Sequence, residues 1–375
     1  MSDGGESSAL YPAQRLDVAR EAAARAGLDA LLVCPGADLR YLTGYDALPL
    51  ERLTCLVLPV SGEPCLLVPA LEQPVAAASP AGVSGLEIVA WNETDDPYAI
   101  AAARVGEAKR VGLDNHMWVE KAAEFRRVLP EAEQDLAGGV LSALRLRKTP
   151  VEAEALRRAG AAIDRVHARM GEWLRAGRTE REVGRDIAEA ILAEGHVRVD
   201  FVIVAAGPNG ASPHHEVSDR TIESGDAVVV DIGGTTREGY CSDSTRVYTV
   251  GEPPKEFREL YDVLLTAQRA QVEAVRPGIT AEQLDALGRD MIAAAGYGDW
   301  FIHRTGHGIG LETHEEPYIV AGSTRPLEPG MAFSIEPGIY LPGRFGARIE
   351  DIVICTETGG ERLNRTDRDL VVLPA

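Results

Sequence analysis

The sequence predicts a two-domain α+β protein, in which a smaller α/β domain precedes a larger α+β domain with internal pseudo-two-fold symmetry. Three observations predict it. From Tyr11 to about Arg145, helix-period and strand-period segments alternate. The phrase LRLRKTP, ending at Pro150, then breaks that rhythm. Beyond it one pattern occurs twice: a long helix, a threonine-capped second helix and a phenylalanine-led segment. A length of 375 residues fits two or three domains at roughly 150 residues each. The expected boundaries are a disordered tail at 1–10, an N-terminal domain at 11–146 and a C-terminal domain at 147–375.

The opening decapeptide MSDGGESSAL is polar and acidic. It lacks the basic start and apolar stretch of a signal peptide, so no export is expected. Residues 12–26 read as a helix ending at Gly27, and LDALLVCP as a buried strand. LTCLVLP and PCLLVPA flank SGEP and read as a hairpin. GLEIVA, a helix near 97–108, KRVGLD and a helix near 117–129 complete the domain. His116 stands alone in it and reads as a surface histidine.

Thr149 can cap a helix whose first residue is Pro150. That helix runs from 151 to about 175, with apolar positions at Val151, Ala155, Ile163, Val166 and Met170. Thr179 with Glu182, and Thr280 with Gln283, are capping boxes. Their helices end 16 residues on, at Gly195 and Gly296. Long helices at 151–175 and 254–275 precede them, and FVIVAAG and FIHRTGHG follow.

Composition narrows the function. A formal charge of −20 opposes binding to nucleic acid or anionic lipid. No apolar run approaches the roughly 20 residues of a membrane span. Cys34, Cys55, Cys65, Cys241 and Cys355 are odd in number and form no CxxC pair. Reduced thiols and a cytoplasmic setting follow. Cys241 lies two residues before Asp243, which suggests a ligand, but a packing role suits it better.

Asp231, Asp243, His307, Glu336 and Glu350 carry the chemistry. Asp231 ends the strand AVVVD before a Gly-Gly turn, and Asp243 lies in YCSDSTRVYTV. The eleven residues between them include Gly233, Gly234 and Gly239, so a hairpin can bring both carboxylates together. His307 sits between glycines, with His303 and His314 nearby. These glycines lack the spacing and the lysine of a phosphate loop. Glu336 ends the strand MAFSIE, and Glu350 lies inside the strand ARIEDIVIC. Arg348 shares that strand's face and is expected to hold the second oxygen of Glu350. Four carboxylates and one imidazole favour two divalent ions, Mn²⁺ first, with Co²⁺ or Zn²⁺ as alternatives. Two ions at roughly 3.5–4 Å can share carboxylates and a bridging hydroxide, a nucleophile for an amide bond at neutral pH.

These phrases, in this order, resemble the creatinase/prolidase/aminopeptidase P metallopeptidases. The resemblance runs from about 150 to 375, and YLTGY at 41–45 extends it to the family's N-terminal domain. It implies the pita-bread catalytic fold, behind a creatinase-like N-terminal domain, and a homodimer. It implies that Asp231, Asp243 and Glu350 bind one metal, and that Asp243, His307, Glu336 and Glu350 bind the other. Glu336 would take a proton from the attacking water. His214, in ASPHHEVSD, would help bind substrate and stabilise the transition state, in preference to His215. His303 and His314 would contact substrate or shuttle protons, with pKa values near the ordinary ~6.5. Arg348 joins these histidines as a substrate-binding residue. The Asp231–Asp243 interval is one residue longer than in many relatives, which implies a wider hairpin. Metal-free creatine hydrolases of the family lack the carboxylates that this chain keeps.

The expected activity is hydrolysis of the Xaa-Pro bond at the start of dipeptides or short peptides. A hydrolase of a small non-peptide amide is the alternative. A non-catalytic binding protein on the same fold is a third reading, opposed by the complete carboxylate set and the acidic charge.

Overall fold

The computed structural model describes residues 9–375. Most of the tail expected at 1–10 lies outside the described residues; Leu10, within them, is buried. The chain divides into two compact units, Met1–Arg145 and Leu146–Ala375. Among the described residues, no helix is long and apolar enough to cross a membrane.

The first unit is built on a mixed six-stranded sheet. Its strands are β1 (Ala30–Val33), β2 (Cys55–Pro59), β3 (Cys65–Pro69), β4 (Glu87–Trp91), β5 (Arg110–Leu113) and β6 (Glu133–Leu136). Their order is β4-β3-β2-β1-β5-β6. β2 and β3 form the expected hairpin, and β1 is buried at all four positions. Helices Gln14–Arg25, Pro97–Val105 and Val119–Val128 lie where periodicity placed them. Helix Ala37–Thr43, strand β6 and helix Gly138–Arg145 had no strong signal in the sequence.

The second unit repeats a motif. Helix α1 (Pro150–His167) starts at a Thr149/Glu152 capping box. It does not run on to 175 as expected. It stops at Ala168, and a separate turn, Met170–Trp173, places Met170, Trp173 and Leu174 in the apolar core. Burying those three side chains outweighs another turn of exposed helix. Helix α2 (Glu180–Ala193) and helix α4 (Ala281–Ala294) both start at threonine capping boxes. Helix α3 (Lys255–Ala274) precedes α4 as α1 precedes α2.

The backbone repeats as closely as the caps. Gly177 donates to the Ile222 carbonyl, Ile222 to Arg178, Glu180 to Arg220 and Arg181 to Ser218. In the second half, Gly278 donates to Leu327, Leu327 to Ile279, Ala281 to Arg325 and Glu282 to Ser323. Each capped helix is thus tied at its start to a returning strand-like segment by the same four bonds.

Each half supplies a sheet. The first contains β7 (His196–Ala206), β8 (Ala227–Thr236) and β9 (Cys241–Val250). The second contains β10 (Gly306–Gly308), β11 (Glu315–Ile319), β12 (Ala332–Ile335), β15 (Asp351–Cys355) and β16 (Gly360–Arg362), in the order β11-β10-β12-β15-β16. β13 (Gly338–Leu341) and β14 (Phe345–Arg348) form a hairpin of their own. β17 (Val371–Leu373) runs parallel to β9 at the edge of the first sheet.

Gly308 shows how tightly the second sheet closes. A Cβ there would stand 2.1 Å from the Glu316 carbonyl oxygen, a backbone atom that cannot move aside. Gly308→Ala should therefore lower stability by ~3 kcal/mol through overpacking. Thermal unfolding checks this, and an unchanged melting temperature would contradict the close approach.

Candidate active site

Strand pairing brings the first two carboxylates together. Asp231 is opposite Thr245 across the β8–β9 ladder, and Asp243 is opposite Gly233. Asp231 and Asp243 are therefore diagonal neighbours on one face of the sheet. The sequence reading placed Asp231 at a strand end before a glycine turn, and the structure corrects this. β8 continues through both glycines to Thr236, and residues 237–240 make the connection. Gly233 is a packing position: a Cβ there would lie 2.5 Å from the Phe201 ring. Cys241 is buried on β9, outside the residues that line the cavity, with its thiol pushed up to about 11 by burial.

The second half supplies the rest. His307 lies on β10, and its backbone N–H donates to Ser334 Oγ at 3.0 Å. Glu336 follows β12 directly, and Ser334 Oγ donates to its Oε1 at 3.1 Å. Glu350 is not inside a continuous strand, as expected from ARIEDIVIC. It occupies the break between β14 and β15, where its N–H donates to the Thr245 carbonyl at 3.2 Å. Thr245 Oγ1 donates to Glu350 Oε2 at 2.8 Å. One residue of the first half thus holds both the backbone and the side chain of Glu350.

All five residues reach one cavity or its wall. Asp231, Asp243, His307, Glu336 and Glu350 line a cavity of about 1070 Å³, together with His214, His303, His314 and Arg348. Ligand atoms of Asp243, His307 and Glu350 lie within 4.8 Å of one another. The cluster is buried: Asp243 is 4% exposed, His307 3% and Glu350 1%.

Such crowding has an electrostatic consequence. Burial, then the charges of Glu350, Asp231 and Glu336, push the Asp243 carboxyl well above its usual range. Burial, then the charges of Glu336 and Asp231, do the same to Glu350. Glu336 behaves differently. Burial would raise it, but His307, His303 and Arg348 beside it together outweigh that and hold it below the usual range.

The residues fit a divalent metal on two grounds. Asp231 Oδ1 and Glu350 Oε1 are buried without a hydrogen-bond partner. His307 Nδ1 lies 3.1 Å from the Gly308 carbonyl, which can only accept. Its proton therefore sits on Nδ1, and the Nε2 lone pair faces Glu336 Oε1 at 3.2 Å and Asp243 Oδ2 at 3.7 Å. A lone pair directed at carboxylate oxygens repels them unless a cation lies between.

Arg348 does not hold Glu350. Its Nη2 donates to Asp231 Oδ2 at 2.5 Å, its Nε to Thr245 Oγ1 at 3.2 Å and its Nη1 to Tyr340 Oη at 2.7 Å. The Thr245 hydroxyl stands between the two, accepting from Arg348 Nε and donating to Glu350 Oε2. Tyr340 Oη in turn meets His303 Nε2 at 2.9 Å, and His303 Nδ1 meets the Arg304 carbonyl at 2.7 Å. That fixes the tautomer: Nδ1 donates, and Nε2 accepts from the tyrosine. Burial lowers the His303 pKa, and burial with the neighbouring His307 lowers that of His314 to about 4. Both are neutral at pH 7, below the ordinary value expected from sequence. His214 is exposed at the cavity, whereas His215 is drawn to Glu180 at 2.7 Å.

Sequence reasoning missed Tyr340, Thr245 and Arg304. Tyr340 is four residues after Glu336 in FSIEPGIY, a usable signal once β13 is recognised as a strand. Thr245 and Arg304 gave no comparable signal.

The comparisons agree with this geometry. Metallopeptidase family M24 matches residues 154–357, and the Creatinase/Prolidase N-terminal domain matches 15–147. A "Probable dipeptidase PepE" of Mycobacterium tuberculosis is 54% identical over 366 residues, covering 96% of each chain. An "Xaa-Pro dipeptidase" of Lactobacillus delbrueckii subsp. lactis is 40% identical, covering 93% of this chain and 96% of the other. The crystal structure of dipeptidase PepE from Mycobacterium ulcerans superposes with a TM-score of 0.93 at 52% identity, over 98% of this chain and 99% of that one. A recombinant prolidase from Thermococcus sibiricus gives a TM-score of 0.90 at 39% identity, over 96% and 98%.

The raised carboxyls set a pH dependence. Asp243 and Glu350 hold protons more tightly in the folded protein than in the unfolded chain. Their contribution to stability is complete below the unfolded carboxylate range and is lost as pH rises through the folded values. Metal binding needs the deprotonated groups, so Mn²⁺ should raise the melting temperature of chelator-treated protein more at pH 8 than at pH 5.5. Asp243→Asn should raise the metal-free melting temperature by about 3 °C and abolish the metal increment. Scanning fluorimetry with and without chelator measures both. An increment that persists in Asp243→Asn would exclude Asp243 from the metal site.

Proposed function

The chain belongs to metallopeptidase family M24, with a creatinase/prolidase N-terminal domain, and from that premise we propose an Xaa-Pro dipeptidase that works with two metal ions. It is a metal-dependent proline peptidase with a pita-bread catalytic domain. Its substrates are proline-containing peptides. The observation that carries the finer reading is the convergence of Asp243, His307 and Glu350, with Asp231 and Glu336, on one cavity wall.

Asp231, Asp243 and Glu350 would hold one ion, and Asp243, His307, Glu336 and Glu350 the other. The oxygen-rich set favours Mn²⁺. Bound divalent cations supply a polarised scissile carbonyl and a water acidic enough to attack near neutral pH. The chain's own residues do the rest. Glu336, kept ionised beside His307, accepts the proton of the attacking water. His314, neutral at pH 7, offers a hydrogen bond to the substrate without adding charge, while His303, with both ring nitrogens engaged, holds Tyr340 at the cavity. Phe201, Val202 and Ile203 line the cavity beside the carboxylates and limit water there.

A dipeptide differs from longer peptides by its carboxylate next to the reacting bond. Three guanidinium groups line the cavity. Arg348 is paired with Asp231 and Arg181 with Asp219. Arg304 lies over the Tyr318 ring, with its centroid 4.4 Å away, and has no carboxylate partner among the described residues. We assign it to the substrate's free carboxylate. All five cysteines are unpaired and buried, which suits a reducing cytoplasm. The active protein is a homodimer in this reading.

Three outcomes test the proposal. Metal-stripped protein resupplied with Mn²⁺, Co²⁺ or Zn²⁺ should hydrolyse Xaa-Pro dipeptides, and failure on every proline peptide with every metal would reject the activity. Asp243→Asn and His307→Ala should each lower kcat/KM by at least ~1000-fold, as loss of a metal-organising group implies. Arg304→Met should raise KM roughly tenfold for Xaa-Pro and leave Xaa-prolinamide unchanged, because only the former presents a carboxylate. Equal effects on both substrates would remove Arg304 from carboxylate recognition.

A further inference from the structure

Glu180 is a buried carboxylate that the chemistry above does not use. It is the first residue of α2 and is fully buried. Its two oxygens accept five hydrogen bonds. Oε1 takes the Ala206 N–H at 2.8 Å and Asn209 Nδ2 at 2.9 Å. Oε2 takes His215 Nε2 at 2.7 Å, the Ser218 N–H at 3.1 Å and Ser218 Oγ at 2.5 Å. These donors bracket one stretch of chain, from the end of β7 to Ser218. Between them lies His214, whose ring is exposed at the cavity and makes no side-chain hydrogen bond among the described residues. Nothing about the ring itself fixes its place. The backbone that carries it must do so, and that backbone is held in front by Ala206 and Asn209 and behind by His215 and Ser218.

We propose that Glu180 is the positioning residue for His214: one carboxylate grips both ends of segment 206–218 and so holds the imidazole over the cavity. The inference rests on the reading that His214 assists hydrolysis of the Xaa-Pro bond. Charge is essential to the grip. Five donors converge on two oxygens, and a carboxylate presents only acceptors. In Glu180→Gln an amide N–H would face the immovable N–H of Ser218, and two donors cannot bond. The side chain keeps its size, so packing is preserved while the segment's rear anchor fails.

The test is a double-mutant cycle combined with hydrogen exchange on the full chain. Glu180→Gln should lower kcat on an Xaa-Pro dipeptide roughly 10- to 100-fold, the scale of a small misplacement of a reacting group. In a His214→Ala background the same substitution should cost little more, because the group it positions is already gone. Exchange should accelerate in residues 206–218 and stay unchanged in β9 and β12. The Mn²⁺-induced rise in melting temperature should persist. Should Glu180→Gln fail to fold, Asn209→Ala and Ser218→Ala each remove a single anchor and should show smaller losses that also vanish with His214→Ala. A loss that multiplies undiminished in the His214→Ala background, faster exchange throughout the catalytic unit, or unchanged kcat would each overturn the proposal. A wild-type protein inactive on all Xaa-Pro peptides would instead sink the peptidase reading, and the exchange pattern would then decide the clamp alone.

Discussion

Mutual repulsion among buried carboxylates is the constraint on which this structure turns. Asp231, Asp243, Glu336 and Glu350 line one cavity, and among the described residues one guanidinium, that of Arg348, pairs with them. In water such groups would separate, but here strands hold them. Asp231 and Asp243 are fixed by the β8–β9 ladder, Glu336 by its place directly after β12, and Glu350 by two bonds with Thr245, one given and one received. The opposing force is stored in the two raised carboxyls and in the orphaned oxygens of Asp231 and Glu350. A cation relieves all of these together, so the affinity of the fold for metal and its strain without metal have one origin.

Much of the frame was legible because local rules acted alone. Thr149, Thr179 and Thr280 cap their helices as the sequence indicates, the last two with the partners three residues on that it names. The strands around Asp243 and Glu336 announced themselves by apolar, β-branched runs. Legibility ended where a neighbour distant in sequence decided the outcome. Gly233 and Gly234 read as a turn, but the first makes room for the Phe201 ring and the second for the Arg198 carbonyl, and β8 runs through both. The helix from Pro150 looked long enough to reach 175, but the core drew in Trp173 and Leu174.

The five candidate ligands, which the structure brings to one cavity, were legible as residue types in their phrases, whereas their hydrogen-bond partners were not. Arg348 and Glu350 alternate in sequence as residues on one strand face would. Across the break at Ile349–Glu350 they do not bond each other: Arg348 goes to Asp231 and Thr245, and Glu350 to Thr245. The neutral state of His303 was equally hidden, since it follows from burial and from Tyr340, a residue that no spacing rule linked to it. Chemistry read from sequence reaches the identity of a group, while its protonation belongs to the surroundings.

The twofold repeat has a further consequence. Each half closes on its own capped helix and return segment, yet Asp231 and Asp243 belong to the first and His307, Glu336 and Glu350 to the second. A chain severed in the GEPP stretch at 251–254 would leave two fragments, each with its secondary structure locally specified and neither with all five candidate ligands. Reassembly would have to bring the acidic groups of both fragments into one basin. The ion would then act as the adhesive between them, with the cofactor of the reaction doubling as the last bond of the fold.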